Sequence, residues 1–186
     1  IGGIAAGLVA QGKMRLEEIA TRAKIIDITL PNGAKDLALV DLVLVDGDFI
    51  GSRAIWDVTN LQEGVFAIAE SATVGLSSIA AALQTIDREE DKGLHVEMGS
   101  GGQLVRAPIA PGTYETIPIK THTELSLNQS ITIKGPGVLA FDGERDYVLT
   151  SEQEVQVSIR KEGPWVINTH RVLDLANMNN YFVTSV

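Results

Sequence analysis

The chain has 186 residues, of which 45% are hydrophobic and 21% charged, which is enough to build one large globular domain or two small ones. Its net charge of −9 argues against non-specific nucleic-acid binding and against an anionic membrane surface, because both need a basic face. The absence of cysteine excludes disulfides, thiolate catalysis and cysteine-bound zinc.

The three histidines, His95, His122 and His170, are widely spaced and form no helical pair of metal ligands, so the sequence does not predict a histidine metal site. No apolar run reaches the roughly 18 residues that a membrane helix needs. Residues 1–10 are apolar but have no initiator methionine, basic segment or cleavage site. We therefore expect a cytoplasmic chain that begins inside a larger protein.

The first half of the chain mixes predicted helices and strands. Residues 1–13 predict a helix of small residues, with Ile4 and Leu8 on one face. Residues 37–47, LALVDLVLVDG, predict one strongly apolar central strand that ends at Asp46 and Gly47. The other elements predicted here are a strand and Pro-Asn-Gly turn over 24–33, a short helix over 52–61, a strand over 64–71 and a short helix from Ser77 or Ser78 to Leu83.

The second half predicts short strands separated by turn residues at regular intervals, the pattern of a sandwich or barrel-like β-domain. Residues 154–160, EVQVSIR, alternate cleanly between apolar and polar side chains. Residues 170–182 predict a closing helix packed on the sheet. We expect an α+β fold, mainly β, with antiparallel strands. The remaining strands are predicted over 93–99, 103–112, 113–125, 130–135, 137–143, 146–150 and 164–169.

Asp41 interrupts the apolar pattern of the predicted central strand. Two interpretations are open: the carboxylate faces an exposed sheet surface, or it is held at a ligand. The end of the same strand, Asp46-Gly47-Asp48, is either a plain turn or a loop that carries function.

A cluster of small polar residues, Thr73, Gly75, Ser77 and Ser78, lies between a predicted strand and a predicted short helix. Small hydroxyl residues with glycine allow a ligand to approach the backbone closely, and a helix N-terminus attracts anions. The alternative is that the hydroxyls only cap the helix.

The segment Asp142-Gly143 lies between two apolar runs, which is a β-hairpin signal because glycine tolerates positive φ. A plain turn does not require the further acids Glu144 and Asp146. Three carboxylates so close together can bind Mg²⁺ through water. The alternative is a solvated hairpin tip.

Four stretches, LVDLVLVDG, SATVGLSSIAAAL, RAPIAPG and AFDGERDY, in this order resemble the C-terminal half of the NAD kinase and diacylglycerol kinase superfamily. They are most similar to the NAD-kinase-like branch encoded in acetoin-catabolism operons. The resemblance runs from about residue 37 to about residue 175. It departs from the superfamily at Val40, which stands where the superfamily has an asparagine, and in lacking its tyrosine and its Gly-Gly-Asp-Gly loop.

The resemblance implies that residues 1–186 are a C-terminal β-sandwich-like domain of the NAD-kinase-like fold, without the N-terminal lobe. The full-length protein would use ATP and Mg²⁺ to phosphorylate a hydroxyl of NAD or a related metabolite, and would assemble as a homo-oligomer. The fragment alone would be inactive, because the missing lobe supplies the general base. The residues implied in binding nucleotide or substrate are Asp41, Thr73, Gly75, Ser77, Ser78, Asp142, Gly143 and Glu144.

Two alternatives stay open at this point. One is a non-enzymatic regulatory module on the same fold that senses a nucleotide or another metabolite. The other is a structural oligomerisation domain, since exposed sheet edges template pairing between chains.

Overall fold

The computed structural model of the chain describes residues 1–47 and 58–183. The chain forms two compact units, one of Ile1–Ala23 with Glu162–Val186 and the other of Lys24–Lys161. The assignment of all 186 residues to one C-terminal domain stays a prediction.

The described elements are four α-helices, twelve strands and one 3₁₀ turn over Val58–Asn60. The helices are α1 (Gly2–Ala10), α2 (Leu16–Ile19), α3 (Ser77–Leu83) and α4 (Thr169–Met178). The strands are β1 (Ala20–Arg22), β2 (Ile25–Thr29), β3 (Lys35–Ala38), β4 (Asp41–Val45), β5 (Leu61–Phe66), β6 (Lys92–Ala110), β7 (Thr113–Ser126), β8 (Ser130–Lys134), β9 (Gly137–Phe141), β10 (Arg145–Leu149), β11 (Glu154–Arg160) and β12 (Trp165–Ile167). No helix of these ranges is long and apolar enough to cross a membrane.

The smaller unit brings the two ends of the chain together. Strands β1 and β12 pair antiparallel, and α4 contacts α1 and α2. The side chains of Ala5, Ile19 and Val172 are buried in its core. Helix α4 begins after Asn168, whose side chain accepts the backbone N–H of Arg171 and so satisfies a free donor of the first turn. The helices predicted at both ends are thus confirmed.

The larger unit contains a six-stranded sheet, β10-β9-β4-β5-β6-β7, and a four-stranded sheet, β3-β2-β11-β8. All recorded pairings are antiparallel. One buried cluster takes side chains from both sheets, such as Ile28 and Leu44, and the alternating residues Val155, Val157 and Ile159 of β11 all belong to it. The predicted fold class, α+β and mainly antiparallel β, is confirmed.

A second buried cluster joins α3 to the six-stranded sheet. Ile79 and Ala80 of the helix pack with Phe66 of β5 and with Leu94 and Val96 of β6. Burial of these apolar side chains holds a helix of only seven residues, which is too short to be stable by itself. The start of α3 is thereby fixed against the sheet.

The predicted single strand over 37–47 is wrong. The chain forms β3 in the four-stranded sheet, leaves it at Leu39 and Val40, and enters the six-stranded sheet as β4. The apolar pattern continues through the crossover because Ala38 and Leu42 face the same buried cluster from different sheets. Periodicity alone therefore does not reveal the break.

Two other local predictions need correction. The separate strands predicted over 93–99 and 103–112 are one strand, β6, whose register with β7 shifts between Met98 and Gln103. Pro108 lies inside this strand. Of the helix predicted over 52–61, residues 52–57 lie outside the described residues, and Leu61 already begins β5.

Candidate functional site

All four stretches that carry the resemblance border one small cavity of about 190 Å³. Asp41 begins β4, residues Val74 to Ser77 lead into α3, Ile109 lies near the end of β6, and Asp142 with Gly143 forms the β9–β10 turn. Five of the eight implied site residues line this cavity: Asp41, Gly75, Ser77, Asp142 and Gly143.

Asp41 is held next to the β9–β10 turn by sheet pairing. Leu42 is paired with Phe141 across β4 and β9, so the two residues beside this pair, Asp41 and Asp142, are neighbours. The backbone N–H of Asp142 donates to the carbonyl oxygen of Asp41 at 3.0 Å. The local order of strands, and not proximity in sequence, thus brings the two acids together.

The side chain of Asp41 is buried, with 9% of the residue exposed, so the interpretation of an exposed sheet surface is wrong. Burial, together with the negative charge of Asp142, raises the pKa of Asp41 to about 7. Within the described part of the chain, no residue forms a hydrogen bond with its carboxyl. Near neutral pH this group can therefore both donate and accept a hydrogen bond toward the cavity.

The carboxylate of Asp142 organises the crossover between the sheets. It accepts the backbone N–H groups of Leu39 at 2.8 Å, of Val40 at 2.7 Å and of Asp41 at 3.2 Å. These are the donors left without strand partners where the chain passes from β3 to β4. The turn residues Asp142 and Gly143 have φ of 52° and 68°, a conformation that aspartate tolerates and glycine favours.

The hairpin predicted at Asp142-Gly143 is confirmed, but its three acids do not form a metal site. Glu144 and Asp146 are exposed, and the Asp142 carboxylate is bound to backbone N–H groups. Among the described residues, no group of three or more acidic or histidine side chains is arranged to hold a metal ion. The neighbouring Arg145 instead binds Asp36 at 2.6 Å, which ties the hairpin to β3.

The segment before α3 is fastened to β6 at Pro108. The backbone N–H of Gly75 donates to the Pro108 carbonyl oxygen at 3.0 Å, and the Ser78 hydroxyl donates to the same oxygen at 3.2 Å. Gly75 has a φ of 104°, a conformation that residues with a Cβ atom rarely adopt. The backbone of this segment therefore forms one fixed wall of the cavity.

The prediction that Ser77 or Ser78 caps α3 is wrong. The residue before the helix is Leu76, and no side chain caps it. The Ser78 hydroxyl donates to the carbonyl oxygen of Gly75 at 2.6 Å, and the Ser77 hydroxyl lies 3.0 Å from that of Thr73. Ser77 is thereby oriented by Thr73 at the cavity, whereas Ser78 stabilises the turn behind it.

The sequence reasoning missed three apolar lining residues, Val74, Leu76 and Ile109. Their signal was weak, because an apolar residue in a turn or a strand end is common on protein surfaces. The sequence also predicted Glu144 at the site, but this residue does not line the cavity. The cavity thus combines an apolar wall with two acids and a hydroxyl.

The similarity to known proteins agrees with the extent of the larger unit. A family model described as the acetoin catabolism protein X C-terminal domain matches residues 24–162. Acetoin catabolism protein X of Cupriavidus necator is 33% identical over 165 residues, which cover 84% of this chain and 46% of that protein. The chain thus spans about half the length of this curated relative. The chain belongs to the acetoin catabolism protein X C-terminal domain family.

Proposed function

We propose that the chain is the substrate-binding part of an ATP-dependent, NAD-kinase-like protein that acts in acetoin catabolism, as the name of its relative indicates. The cavity would bind a hydroxyl-bearing part of NAD or of a related metabolite. The observation that carries this proposal is the convergence of Asp41, Ser77 and Asp142, which come from three separate stretches of sequence, on one cavity.

The charges favour a neutral or cationic group in the cavity over a phosphate. Asp142 is an acid within the lining, and Asp41 becomes negative when the pH rises above its pKa of about 7. Among the described residues, no lysine or arginine lines the same cavity to offset them. A sugar hydroxyl can donate to Asp41 and accept from Ser77, whereas a phosphate would be repelled.

The size of the cavity supports binding of part of a ligand. Whole small-molecule sites usually enclose about 300 Å³ or more, which is larger than the 190 Å³ found here. We therefore expect the remainder of NAD, including its phosphates, to lie outside this cavity. Phosphoryl transfer depends on positioning and on charge neutralisation by Mg²⁺, and ATP and Mg²⁺ would be held mainly by residues outside this chain.

One observation favours a second candidate, a regulatory module that binds a metabolite without catalysis. Asp142, the acid of the Asp-Gly-Glu hairpin, is engaged by three backbone N–H groups. The sequence also has no Gly-Gly-Asp-Gly segment. A domain that keeps the binding cavity and none of the catalytic acids would still sense its ligand.

Titration calorimetry with NAD, and separately with ATP and Mg²⁺, tests the binding proposal. We expect NAD to bind and Asp41→Leu to weaken its binding about 10- to 100-fold, because leucine is of similar size but can neither donate nor accept a hydrogen bond. Ser77→Val should weaken it similarly by removing the hydroxyl and filling the cavity. Glu144→Gln, outside the cavity, is the matched control and should leave the affinity unchanged.

The same variants separate the possible outcomes. Failure of NAD to bind at millimolar concentration, or equal affinity in all four proteins, would overturn the proposal. Incubation of the chain with ATP, Mg²⁺ and NAD should yield no NADP above a blank, since the chain has no Gly-Gly-Asp-Gly loop. Measurable turnover would contradict the proposal that this chain binds the substrate while the catalytic groups lie outside it.

A further inference from the structure

Strand β7 forms an outer edge of the six-stranded sheet and is the longest edge strand of the larger unit. Within the described residues it pairs with β6 alone. It has 14 residues, whereas the other edge strands of the two large sheets, β3, β8 and β10, have four or five. Backbone N–H and C=O groups along such an edge are free to pair with another strand.

The centre of this edge is a run of five exposed residues, Lys120-Thr121-His122-Thr123-Glu124. Its sequence is nearly symmetric about His122: a threonine stands on each side, followed by a lysine on one side and a glutamate on the other. An antiparallel pairing of two such runs would place each lysine opposite a glutamate and each threonine opposite a threonine.

We propose that β7 is a self-association edge, at which a second copy of this chain pairs antiparallel about His122. Lys120 then faces Glu124 of the partner subunit, and Thr121 faces Thr123 of the partner subunit, twice each by symmetry. Opposite charges and Thr–Thr pairs are stabilising cross-strand neighbours. The two six-stranded sheets become one continuous sheet across the dimer axis.

The ion pairs already present on the edge support this arrangement. The Lys120 ammonium lies 3.0 Å from the Glu97 carboxylate, and the Glu124 carboxylate lies 3.1 Å from the Lys92 ammonium. Both side chains are thus held at the edge before association. In the dimer, each Lys120 joins an intrachain glutamate to a glutamate of the second copy, which links the intrachain pairs of both copies into one network.

The shape of the edge limits the paired length. The register of β6 and β7 shifts at Glu97 and Met98, opposite Lys120, whereas Thr121–Ser126 pair regularly with Lys92–Glu97. An open depression of about 380 Å³ lies beside the shift, lined by residues that include Gly102, Ile119 and His122. We therefore expect the pairing between the two copies to be confined to the symmetric run, Lys120–Glu124.

A second copy is the occupant that the charge pattern favours. An unrelated strand would need its own glutamate and lysine at the matching spacing, whereas a second β7 supplies both by symmetry. The proposal concerns assembly and is independent of what the cavity binds.

Charge reversal tests the pairing. Sedimentation of the wild type should show a concentration-dependent monomer–dimer equilibrium. Lys120→Glu or Glu124→Lys alone should weaken the dimer about tenfold or more, because each creates two like-charge contacts across the axis. The double reversal should restore wild-type association, since it recreates the opposite pairs between subunits. It does not restore the intrachain pairs with Glu97 and Lys92, so recovery reports on the interface alone.

Lys134→Glu, which makes the same charge change on the edge strand β8, is the matched control and should leave the dimer unchanged. A second measurement remains informative if a charge variant folds poorly. The sequence has no cysteine, so His122→Cys introduces a single thiol at the proposed axis. Antiparallel partners lie about 4.5–5.5 Å apart at Cα, within the range that a disulfide bridges.

Mild oxidation should therefore cross-link His122→Cys into a covalent dimer. Thr116→Cys, on the same strand but six positions from the axis, should remain monomeric in a non-reducing gel. A strictly monomeric wild type, a dimer insensitive to both single reversals, absence of rescue in the double reversal, or equal cross-linking at both positions would each overturn the proposal.

Discussion

At the scale of single residues, Asp41 combines burial with an adjacent carboxylate, and this makes its protonation part of the stability of the fold. Its pKa of about 7 in the folded protein lies above the value of about 4 in an unfolded chain. Between these two pH values the folded state retains a proton that the unfolded state has released. Stability therefore falls as pH rises from about 4 to 7 and is level above that range.

We predict that Asp41→Asn removes the loss of stability that Asp41 causes as the pH rises. The wild type should lose up to about 4 kcal/mol of unfolding free energy through Asp41 between pH 4 and pH 8, and the asparagine variant should not. Urea unfolding of both proteins at pH 4 and pH 8 measures the difference. The unfolding free energy of the variant should increase relative to that of the wild type as pH rises. Parallel stability profiles would contradict the buried environment assigned to Asp41.

The two acids of the β9–β10 turn should behave differently on substitution. Asp142→Ala removes the acceptor of three backbone N–H groups and places alanine at positive φ, so we expect a loss of about 2–4 kcal/mol. Asp142→Asn keeps an acceptor oxygen and tolerates this φ, and should cost about 1 kcal/mol or less.

Glu144→Gln is the control for this turn. Its side chain is exposed, so the change should stay within about 0.5 kcal/mol of the wild type. Denaturant unfolding of the three variants gives the comparison. Equal stability of Asp142→Ala and Glu144→Gln would mean that the turn does not hold the crossover between the sheets.

At the scale of elements, the attachment of α3 to the sheet depends on a buried hydroxyl. Ser78 donates to the carbonyl oxygens of Gly75 and Pro108 and so joins the helix start to β6. We predict that Ser78→Ala destabilises the protein by about 1 kcal/mol, because the buried hydroxyl that links these two carbonyl oxygens is lost. Thermal melting should detect this loss, whereas Ser71→Ala, at an exposed position before the turn, should melt like the wild type.

Elements set by local pattern could be predicted from the sequence. The alternation in β11 and the Asp-Gly turn each depend on a few adjacent residues, and both were predicted correctly. The division of 37–47 between two sheets could not be predicted, because it depends on Asp142, a residue about 100 positions away that binds the backbone of Leu39 and Val40. No local pattern encodes a contact at that separation.

The candidate site was predictable in part for the same reason. The order of motifs predicted that Asp41, Ser77 and Asp142 belong together. Strand pairing brings Asp41 next to Asp142, and the hydrogen bonds to Pro108 hold the segment that carries Ser77. The burial of Asp41 depends on residues from several strands, so the sequence alone did not decide whether its side chain is exposed. Glu144 does not line this cavity, and its role in binding stays a prediction.

At the scale of the whole molecule, the larger unit and the family coincide. The unit spans Lys24–Lys161, and the family model matches residues 24–162. This unit contains two buried clusters of its own, one between the sheets and one beneath α3. Its first residue is also internal to the fold, because the Lys24 ammonium donates to the carbonyl oxygens of Asp87 at 2.7 Å and Lys92 at 2.9 Å.

We predict that residues 24–162 fold alone and retain the cavity, because both clusters and all its lining residues lie within this range. The isolated segment should unfold in one cooperative step and bind NAD with the affinity of the whole chain.

Lys24→Met in the same segment tests whether its first residue contributes to the stability of the unit. It removes the two hydrogen bonds that the buried Lys24 ammonium donates and should cost about 2 kcal/mol or more. Circular dichroism during urea titration measures both proteins. A gradual, non-cooperative loss of signal from the segment would show that the chain ends are required for folding of the larger unit.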